Sequence, residues 1–155
     1  MDLRSFPERP IVGVGAVVLN GDHVLLVKRA HEPLKGEWSL PGGVVEVGET
    51  LQAALVREVY EETALKIHVG PVVEVFERIH TAPDGRTEFH FVIVDYLCHP
   101  AGGDAPTRGS DAEDVRWVEA ADLARYQLTD KAASVIAKAR QLVATPGTPA
   151  PRGER

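Results

Sequence analysis

Several features are scarce or missing in this chain of 155 residues. Cys98 is the only cysteine, which excludes a disulfide within the chain and a scaffold built on disulfides. No apolar run approaches the about 18 residues of a membrane-spanning helix, and residues 1–10 hold no apolar core of signal-peptide length. Basic residues are outnumbered 17 to 23, so the net charge is −6 and a surface for nucleic acid or anionic membrane is disfavoured. We therefore expect a cytoplasmic protein with neither of these partners.

The composition is that of a globular domain, with 44% hydrophobic and 26% charged residues. Residues 1–10 carry two prolines and four charges and are predicted to be a flexible lead-in. Residues 145–155 carry three prolines and two glycines and are predicted to be a disordered tail. Between them, residues 11–144 show no internal repeat and are long enough for one domain with a substantial core.

The domain is predicted to begin with a hairpin. Residues 11–20 are rich in β-branched side chains, and a strong turn signal at 20–22 separates them from a second apolar run at 23–29. The second strand delivers Lys28 and Arg29 to one rim. These two residues are either solvated strand-end charges or contacts for substrate phosphates.

Further strands are predicted after the centre of the chain. Residues 31–43 form a loop in which Trp38 is assigned to packing in preference to a site wall. The segment 65–80 predicts one or two strands interrupted at Gly70-Pro71. Residues 87–99 are apolar on both faces, which indicates a central strand with helices above and below the sheet.

The last part of the domain predicts a long polar loop and a helix. The loop covers residues 100–114, a length that is often functional inside a compact domain. The helix begins at Thr129 or Asp130 as its cap. Its apolar positions are expected to include Ala133, Ile136, Ala137 and Val143.

The chain is organised around the stretch 42–65. Thr50 is the predicted cap of a helix that runs to about Thr63. Glu58, Glu61 and Glu62 stand at i, i+3 and i+4, so the helix presents them on one side, where they continue the stripe begun by Leu51 and Leu55. Each like-charge pair costs about 0.2–0.5 kcal/mol on an exposed helix. A divalent cation held by oxygen ligands would relieve that repulsion.

The spacing of this stretch resembles a known signature. Gly43 is followed after five residues by Glu49 and after seven more by Arg57-Glu58. Val59, Glu61-Glu62, Ala64 and Leu65 then complete a pattern that resembles the Nudix box, in which Ala64 stands where a glycine is usual. That exception requires Ala64 to adopt a conformation easier for glycine, or the helix to end differently. The segments around the box, over roughly residues 11–140, are similar to small bacterial proteins of the ADP-ribose pyrophosphatase-like group.

The resemblance implies an α/β fold, the Nudix α/β/α sandwich, with a mixed sheet between the box helix and the C-terminal helix. It implies that Mg²⁺, with Mn²⁺ as a substitute, is bound by Glu58, Glu61 and Glu62, and that the carbonyl of Gly42 completes the shell. Arg57 points to another part of the helix in this picture, and it orients carboxylates such as Glu49. A small nucleotide is the expected partner, and a homodimer is compatible with the family.

Two assignments stay open at this point. The general base is Glu58 or a later acid, and the candidates are Glu113, Asp104 and Glu88. The residue that stacks on a nucleobase has four candidates, Phe6, Phe76, Phe89 and Tyr126. His80 and His90 are expected to be structural, because a lone histidine on a strand is more often so. Residues that bind the rest of the substrate are unknown from sequence.

The resemblance implies a hydrolase that cleaves a nucleoside diphosphate linked to another group. ADP-ribose, split into AMP and ribose 5-phosphate, is the first expectation. Hydrolysis of a (d)NTP or an oxidised nucleotide is the alternative within the family. The alternative from another class is a non-catalytic nucleotide-binding regulator, which the retention of Glu49, Glu58, Glu61 and Glu62 disfavours.

The substitution Glu62→Gln separates an enzyme from a pure binder. It removes one negative charge and keeps the size of the side chain, so an enzyme loses orders of magnitude in rate while the fold remains intact. A binder loses little nucleotide affinity. Turnover and the unfolding midpoint, measured on the same preparation, distinguish these two results.

Overall fold

The architecture comes from a computed structural model that describes residues 4–102, 106–107, 109 and 112–144. Regular structure makes up most of this part of the chain. In chain order it consists of β1 (Ile11–Asn20), β2 (His23–Arg29), β3 (Trp38–Ser39), β4 (Gly42–Val44), α1 (Leu51–Thr63), β5 (Ile67–Thr81), β6 (Thr87–Pro100), β7 (Ala112–Glu119), a 3₁₀ helix (Ala120–Tyr126) and α2 (Asp130–Ala144). In these residues, no helix has both the length and the apolar character needed to cross a membrane.

The strands form one mixed sheet, as predicted. The order is β3-β2-β1-β6-β5, with β4 paired to β1 and β7 paired to β2. β1 runs parallel to β6 and antiparallel to β2 and β4. Around Gly13 and Gly15, β1 pairs with β4 on one edge and with β6 on the other. The backbones of three strands therefore lie side by side at these two glycines.

Helices cover both faces of the sheet, which confirms the α/β/α sandwich. Alternate residues of β1 point to opposite faces, so Ala16 and Val18 pack toward α1 while Val17 and Leu19 pack toward α2. Leu55 of α1 and Ile136 of α2 are almost completely buried in the two layers of the core. Burying one such side chain contributes about 1.5–3 kcal/mol, so the two layers together anchor the helices.

Several strand predictions need correction. The segment 31–43 is not all loop, because it contains the short strands β3 and β4. The predicted segment 65–80 corresponds to one strand, β5, and Gly70-Pro71 falls where its register with β6 shifts. The polar loop is shorter than predicted, since β7 begins at Ala112. β3 and β4 are only two and three residues long, and their pairing with β2 and β1 depends on strands that the local pattern does not show.

The buried face of α2 is also different from the predicted one. Ile136 is buried as expected, but Ala133, Ala137 and Val143 are exposed. Val135 and Ala139 are buried in their place. Alanines occur on every side of this helix and carry little hydrophobic signal, so contact with the sheet selected the face. Of the two proposed caps, Thr129 is the one that accepts the N–H of Ala132, at 3.1 Å.

The ends of α1 follow the sequence closely. Thr50 Oγ1 accepts a hydrogen bond from the N–H of Ala53 at 3.1 Å, as an N-cap does. At the other end Ala64 adopts the left-handed conformation with φ of 59°, and its N–H donates to the carbonyl of Tyr60 at 2.8 Å. Of the two alternatives for Ala64, the conformation that glycine finds easier is confirmed.

Ala64→Gly is expected to stabilise the fold. The left-handed conformation costs a residue with Cβ about 1–2 kcal/mol, and glycine relieves that strain. The extra conformational freedom of glycine in the unfolded chain offsets about 0.5–1 kcal/mol of the stabilisation. Urea unfolding should show a net increase of about 0.5–1 kcal/mol. Ala137→Gly, the same change at an exposed position inside α2, should instead lower stability by about 1 kcal/mol. Equal losses for both variants would contradict this account of the helix end.

Candidate active site

A cavity of about 390 Å³ lies over the end of the sheet where β1 begins. Gly13 and Gly15 of β1 line it, together with residues of β4, β5 and β6. Glu58 and Glu62 of α1 reach it at the β4 side. The cavity therefore connects the carboxylates of the box helix with the middle of the sheet.

Two carboxylates of α1 lie directly against the glycine pair of β4. Glu62 is buried, and its Oε1 accepts the N–H of Gly42 at 2.7 Å. A Cβ on Gly43 would stand 2.2 Å from the carboxyl carbon of Glu58, so a side chain at this position would displace that carboxylate. Neither glycine has a positive φ. Close approach, and not an unusual backbone conformation, is therefore what requires glycine here.

Arg57 contacts Glu49, as expected, but it does not point away from the other glutamates, because it also contacts Glu58 and Glu61. Its Nε and Nη2 donate to the two oxygens of Glu49 at 2.7 and 2.8 Å, a bidentate pair. Its Nη1 donates to Glu58 Oε1 at 2.7 Å and to Glu61 Oε2 at 3.3 Å. A fifth bond, from Nη2, goes to the carbonyl of Val44 at 3.2 Å. One guanidinium thus joins the helix, the turn before it and β4.

This network shifts the pKa values of Glu49 and Arg57. The hydrogen bond from Arg57 is the main reason that the pKa of Glu49 falls from 4.5 to about 2, and the backbone N–H of Glu46 adds to the effect. The same contact with Glu49, followed by Glu58, raises the pKa of Arg57 above its ordinary value despite burial. Glu49 is consequently ionised throughout the neutral range and holds Arg57 in place.

The carboxylates fit a hard divalent cation without forming a closed cage. Within residues 4–102 and the later described positions, no three acidic, histidine or cysteine side chains converge as a preformed metal cluster. Mg²⁺ usually takes one or two carboxylates and completes its shell with waters and substrate phosphates. Glu58 and Glu62 at the cavity, with Glu61 beside them on the helix, supply oxygen donors of that kind. The roles of these residues as ligands, and that of the Gly42 carbonyl, stay predictions.

The two basic residues at the end of β2 have different surroundings. Arg29 lines the cavity, whereas Lys28 lies 3.9 Å from Glu113 of β7 in an ion pair. Burial lowers the pKa of Arg29; nearby Glu62 opposes this effect, and Arg78 and Arg4 add to it. Arg4 and Arg78 line the same cavity. The arginine arrangement suits a phosphate group, and Lys28 matches the interpretation as a solvated charge.

The candidates for the general base occupy different places. Glu58 lines the cavity. Glu113 pairs with Lys28, and Glu88 contacts His80 Nδ1 at 2.9 Å, both away from the cavity lining. Asp104 lies outside the described residues. Which of them acts as the base stays a prediction.

The candidates for base stacking also separate. Phe76 lines the cavity, and Phe6, Phe89 and Tyr126 do not. Tyr126 instead packs edge-on against Trp38, with ring centroids 5.2 Å apart, in the core on the α2 side. This contact confirms the packing role that the sequence assigned to Trp38.

The residues that line the cavity and were missed from sequence include Asp95, Arg78 and Phe91. Asp95 is 4% exposed, and burial raises its pKa to about 6, with Arg78 opposing the shift and Glu74 adding to it. A signal for Asp95 existed, because it is a charged residue inside a strand whose two faces are otherwise apolar. Arg78 and Phe91 carry no comparable signal, since their meeting depends on the pairing of β5 with β6.

Comparison with known proteins identifies the family. The family profile described as the NUDIX domain matches residues 9–139, most of the chain. The chain belongs to the Nudix hydrolase family. The expected fold family and enzyme class, a diphosphatase, are confirmed by this match and by relatives named as hydrolases.

The Nudix chain is similar to relatives with different names. It is 34% identical over 110 residues to an ADP-ribose pyrophosphatase of Methanocaldococcus jannaschii, covering 71% of this chain and 62% of that protein. It is 39% identical over 116 residues to a putative 8-oxo-dGTP diphosphatase 2 of Mycobacterium tuberculosis, covering 73% of this chain and 75% of that one. The crystal structure of a MutT Nudix hydrolase from Burkholderia pseudomallei superposes with a TM-score of 0.72 at 31% identity, covering 84% and 98% of the two chains.

The Glu49–Arg57 pair predicts a defined acid sensitivity. Because the folded-state pKa of Glu49 is depressed, the pair stabilises the fold above the unfolded pKa of about 4.5, and the contribution is lost as the pH falls toward about 2. Wild type should therefore exceed Glu49→Gln in unfolding free energy at pH 7, and the gap should shrink between pH 4.5 and 2. Urea unfolding across this range measures the gap. A gap that stays constant with pH would contradict the assignment.

Proposed function

We propose that this Nudix hydrolase cleaves ADP-ribose with water, in a Mg²⁺-dependent reaction, to AMP and ribose 5-phosphate. The observation that carries the proposal is the arrangement of charges along one cavity. Glu58 and Glu62 stand at its β4 side, and Arg29 lies close enough to Glu62 for the two charges to interact. A diphosphate needs both a metal-binding carboxylate cluster and cationic groups for its remaining charge.

Each group of residues has its own role in the proposed reaction. Glu58, Glu61 and Glu62 would hold Mg²⁺, which when bound neutralises diphosphate charge and lowers the pKa of a bound water. Arg29 donates hydrogen bonds to phosphate oxygens from the cavity wall. Arg57 keeps the carboxylates of Glu49 and Glu58 oriented through its hydrogen bonds to both.

Glu58 is the base candidate that this arrangement favours. It lines the cavity, and its side chain is only 16% exposed. The hydrogen bond from Arg57 Nη1 to Glu58 Oε1 fixes the orientation of the carboxylate. An ionised carboxylate has about four lone-pair sites, so it can accept this bond and also a proton from water. Glu113 forms an ion pair with Lys28 and does not line the cavity.

The choice of substrate rests on the chemistry of the cavity and on similarity to named relatives. A relative named ADP-ribose pyrophosphatase supports the first choice. A relative named putative 8-oxo-dGTP diphosphatase 2 favours a (d)NTP or oxidised nucleotide as the second candidate. Both candidates share the metal site and the attack of water on phosphorus. They differ in the leaving fragment, which is ribose 5-phosphate in one case and inorganic pyrophosphate in the other.

Product analysis tests the proposal. The purified chain is incubated with ADP-ribose, with dGTP or with 8-oxo-dGTP, each in the presence of Mg²⁺, of Mn²⁺ or of EDTA. Ion-exchange chromatography should show AMP and ribose 5-phosphate from ADP-ribose, with no turnover in EDTA. Faster release of pyrophosphate from a nucleoside triphosphate would select the second candidate. Absence of turnover on every substrate would favour the nucleotide-binding regulator.

A pair of glycine variants ties any activity to this cavity. Gly43→Ala places a Cβ within 2.3 Å of a carboxylate oxygen of Glu58 and should reduce kcat strongly. Gly13→Ala meets its nearest atom at 3.5 Å, an ordinary contact, and should retain most of the activity. Equal activities for the two variants would show that the position of Glu58 is unimportant.

A further inference from the structure

The segment before β1 is attached to the hairpin formed by β5 and β6. Phe6 donates its backbone N–H to the carbonyl of Glu88, in β6, at 2.7 Å. Cζ of Arg86, in the turn before β6, lies 4.2 Å from the centroid of the Phe6 ring, within the range of a cation–π contact. Two contacts therefore fix this segment to the fold at one residue.

The backbone of Phe6 adopts a conformation that is unusual for its residue type. Its φ is 49°, in the left-handed region that residues with a Cβ rarely adopt. A residue keeps such a conformation only where its surroundings hold it there. The hydrogen bond to Glu88 and the contact with Arg86 provide that support. The chain bends at Phe6, and Arg4, two residues earlier, lines the cavity.

Arg4 brings a third guanidinium group to this cavity. Arg29 of β2 and Arg78 of β5 are the other two, and all three residues belong to the lining. Burial is the main reason that the pKa of Arg29 is lowered, and the charges of Arg78 and Arg4 lower it further, so the three groups are close enough to interact. Like charges that converge in a partly desolvated cavity repel one another. An anion among them would replace this repulsion by attraction.

The acidic residues of the cavity are fewer than this cluster requires once a metal is bound. Among the described residues of the lining, the acidic side chains are Glu58, Glu62 and Asp95. Glu58 and Glu62 hold the metal in the proposed reaction, which leaves Asp95 for the arginines. Asp95 opposes the effect of burial on the pKa of Arg78. A phosphate would add the missing negative charge, and its oxygens match the planar donor fork of a guanidinium.

We propose that Arg4 is a substrate-binding residue whose guanidinium donates hydrogen bonds to a phosphate group of the nucleotide, so that the segment 4–10 is part of the substrate site. Phe6 and Arg86 are positioning residues, because they hold this segment and do not line the cavity. The inference rests on the proposed function in placing a nucleotide with a diphosphate in this cavity.

Binding of a substrate analogue to Arg4→Met tests the proposal without turnover. The probe is α,β-methylene-ADP with Mg²⁺, in which a carbon atom replaces the bridging oxygen and prevents hydrolysis. Methionine keeps an unbranched apolar stem and removes the charge. Isothermal titration calorimetry should show about tenfold weaker binding, the lower end of the range for a hydrogen bond between charged groups. Arg4→Lys keeps the charge but not the planar fork and should lose less.

The matched control is Arg9→Met. Arg9 belongs to the same segment, is exposed and does not line the cavity. Its variant changes the net charge by the same amount and should bind the analogue as tightly as wild type. Both variants should keep the wild-type unfolding midpoint in urea. An equal loss of affinity in the two variants would show a general effect of net charge and would overturn the proposal.

A second probe assigns the contact to phosphate. Inorganic pyrophosphate with Mg²⁺ carries two phosphates and no nucleoside, so Arg4→Met should weaken its binding by a factor similar to that for the analogue. A loss for the analogue alone would assign Arg4 to the nucleoside and overturn the phosphate contact. Unchanged affinity for both probes in Arg4→Met would leave Arg4 as a residue that only packs at the cavity wall.

A double-mutant cycle tests the positioning role of Phe6. Phe6→Ala removes the ring that contacts Arg86, and it should weaken binding of the analogue several-fold in the wild-type background. In the Arg4→Met background it should have no further effect, because the residue that it positions is already gone. The same loss in both backgrounds would show that Phe6 does not act through Arg4.

The outcome for the proposed substrate is separate. If the chain does not hydrolyse ADP-ribose but both probes still depend on Arg4, the proposed substrate is wrong and the phosphate contact stands. If ADP-ribose is hydrolysed and neither probe depends on Arg4, the proposed function stands and this inference is wrong.

Discussion

The placement of Arg57 among carboxylates is the interaction on which the site depends. Glu58 and Glu61 repel each other on one helix, and Glu49 approaches from the turn before it. Arg57 donates to all three and to the carbonyl of Val44, so one cation holds the helix, the turn and β4 together. The network lowers the pKa of Glu49, and Arg57 also orients the carboxylate of Glu58, which lines the cavity.

Glycine allows the sheet to approach this network. Gly43 lies under the carboxylate of Glu58, and Gly42 donates its N–H to Glu62. Gly15 has the same effect on the neighbouring strand β1, where it leaves room for Asp95. These glycines have ordinary backbone angles, so the requirement is for space and not for conformational freedom. The space left by the missing side chains at Gly43 and Gly15 thus holds two carboxylates that line the cavity.

The cavity joins two charge types that a diphosphate substrate requires. Glu58 and Glu62 lie at one side, and Arg29 and Arg78 line the walls. Both arginines are partly buried, and the resulting desolvation lowers their pKa. Electrostatic contacts are stronger in such surroundings than in water. A net negative chain therefore still offers a local site for a phosphorylated ligand, through its arginines and a bound cation.

The helix of the box and its cap at Thr50 were predictable because they depend on residues a few positions apart, where helical periodicity and capping chemistry act locally. For Ala64 the sequence left two alternatives, and the structure selected the left-handed one. The central position of β6 was predictable as well, from its two apolar faces. The buried face of α2 was not, because its alanines carry little signal and the sheet selected among them. The sequence by itself determined the box, its carboxylates and the fold class. The contacts of Arg57 with Glu58 and Glu61 follow from their spacing on one helix, whereas its hydrogen bond to the carbonyl of Val44 needed the fold. Only the tertiary structure brought Asp95 beside Gly15, because that contact depends on the pairing of β1 with β6, which no local spacing encodes.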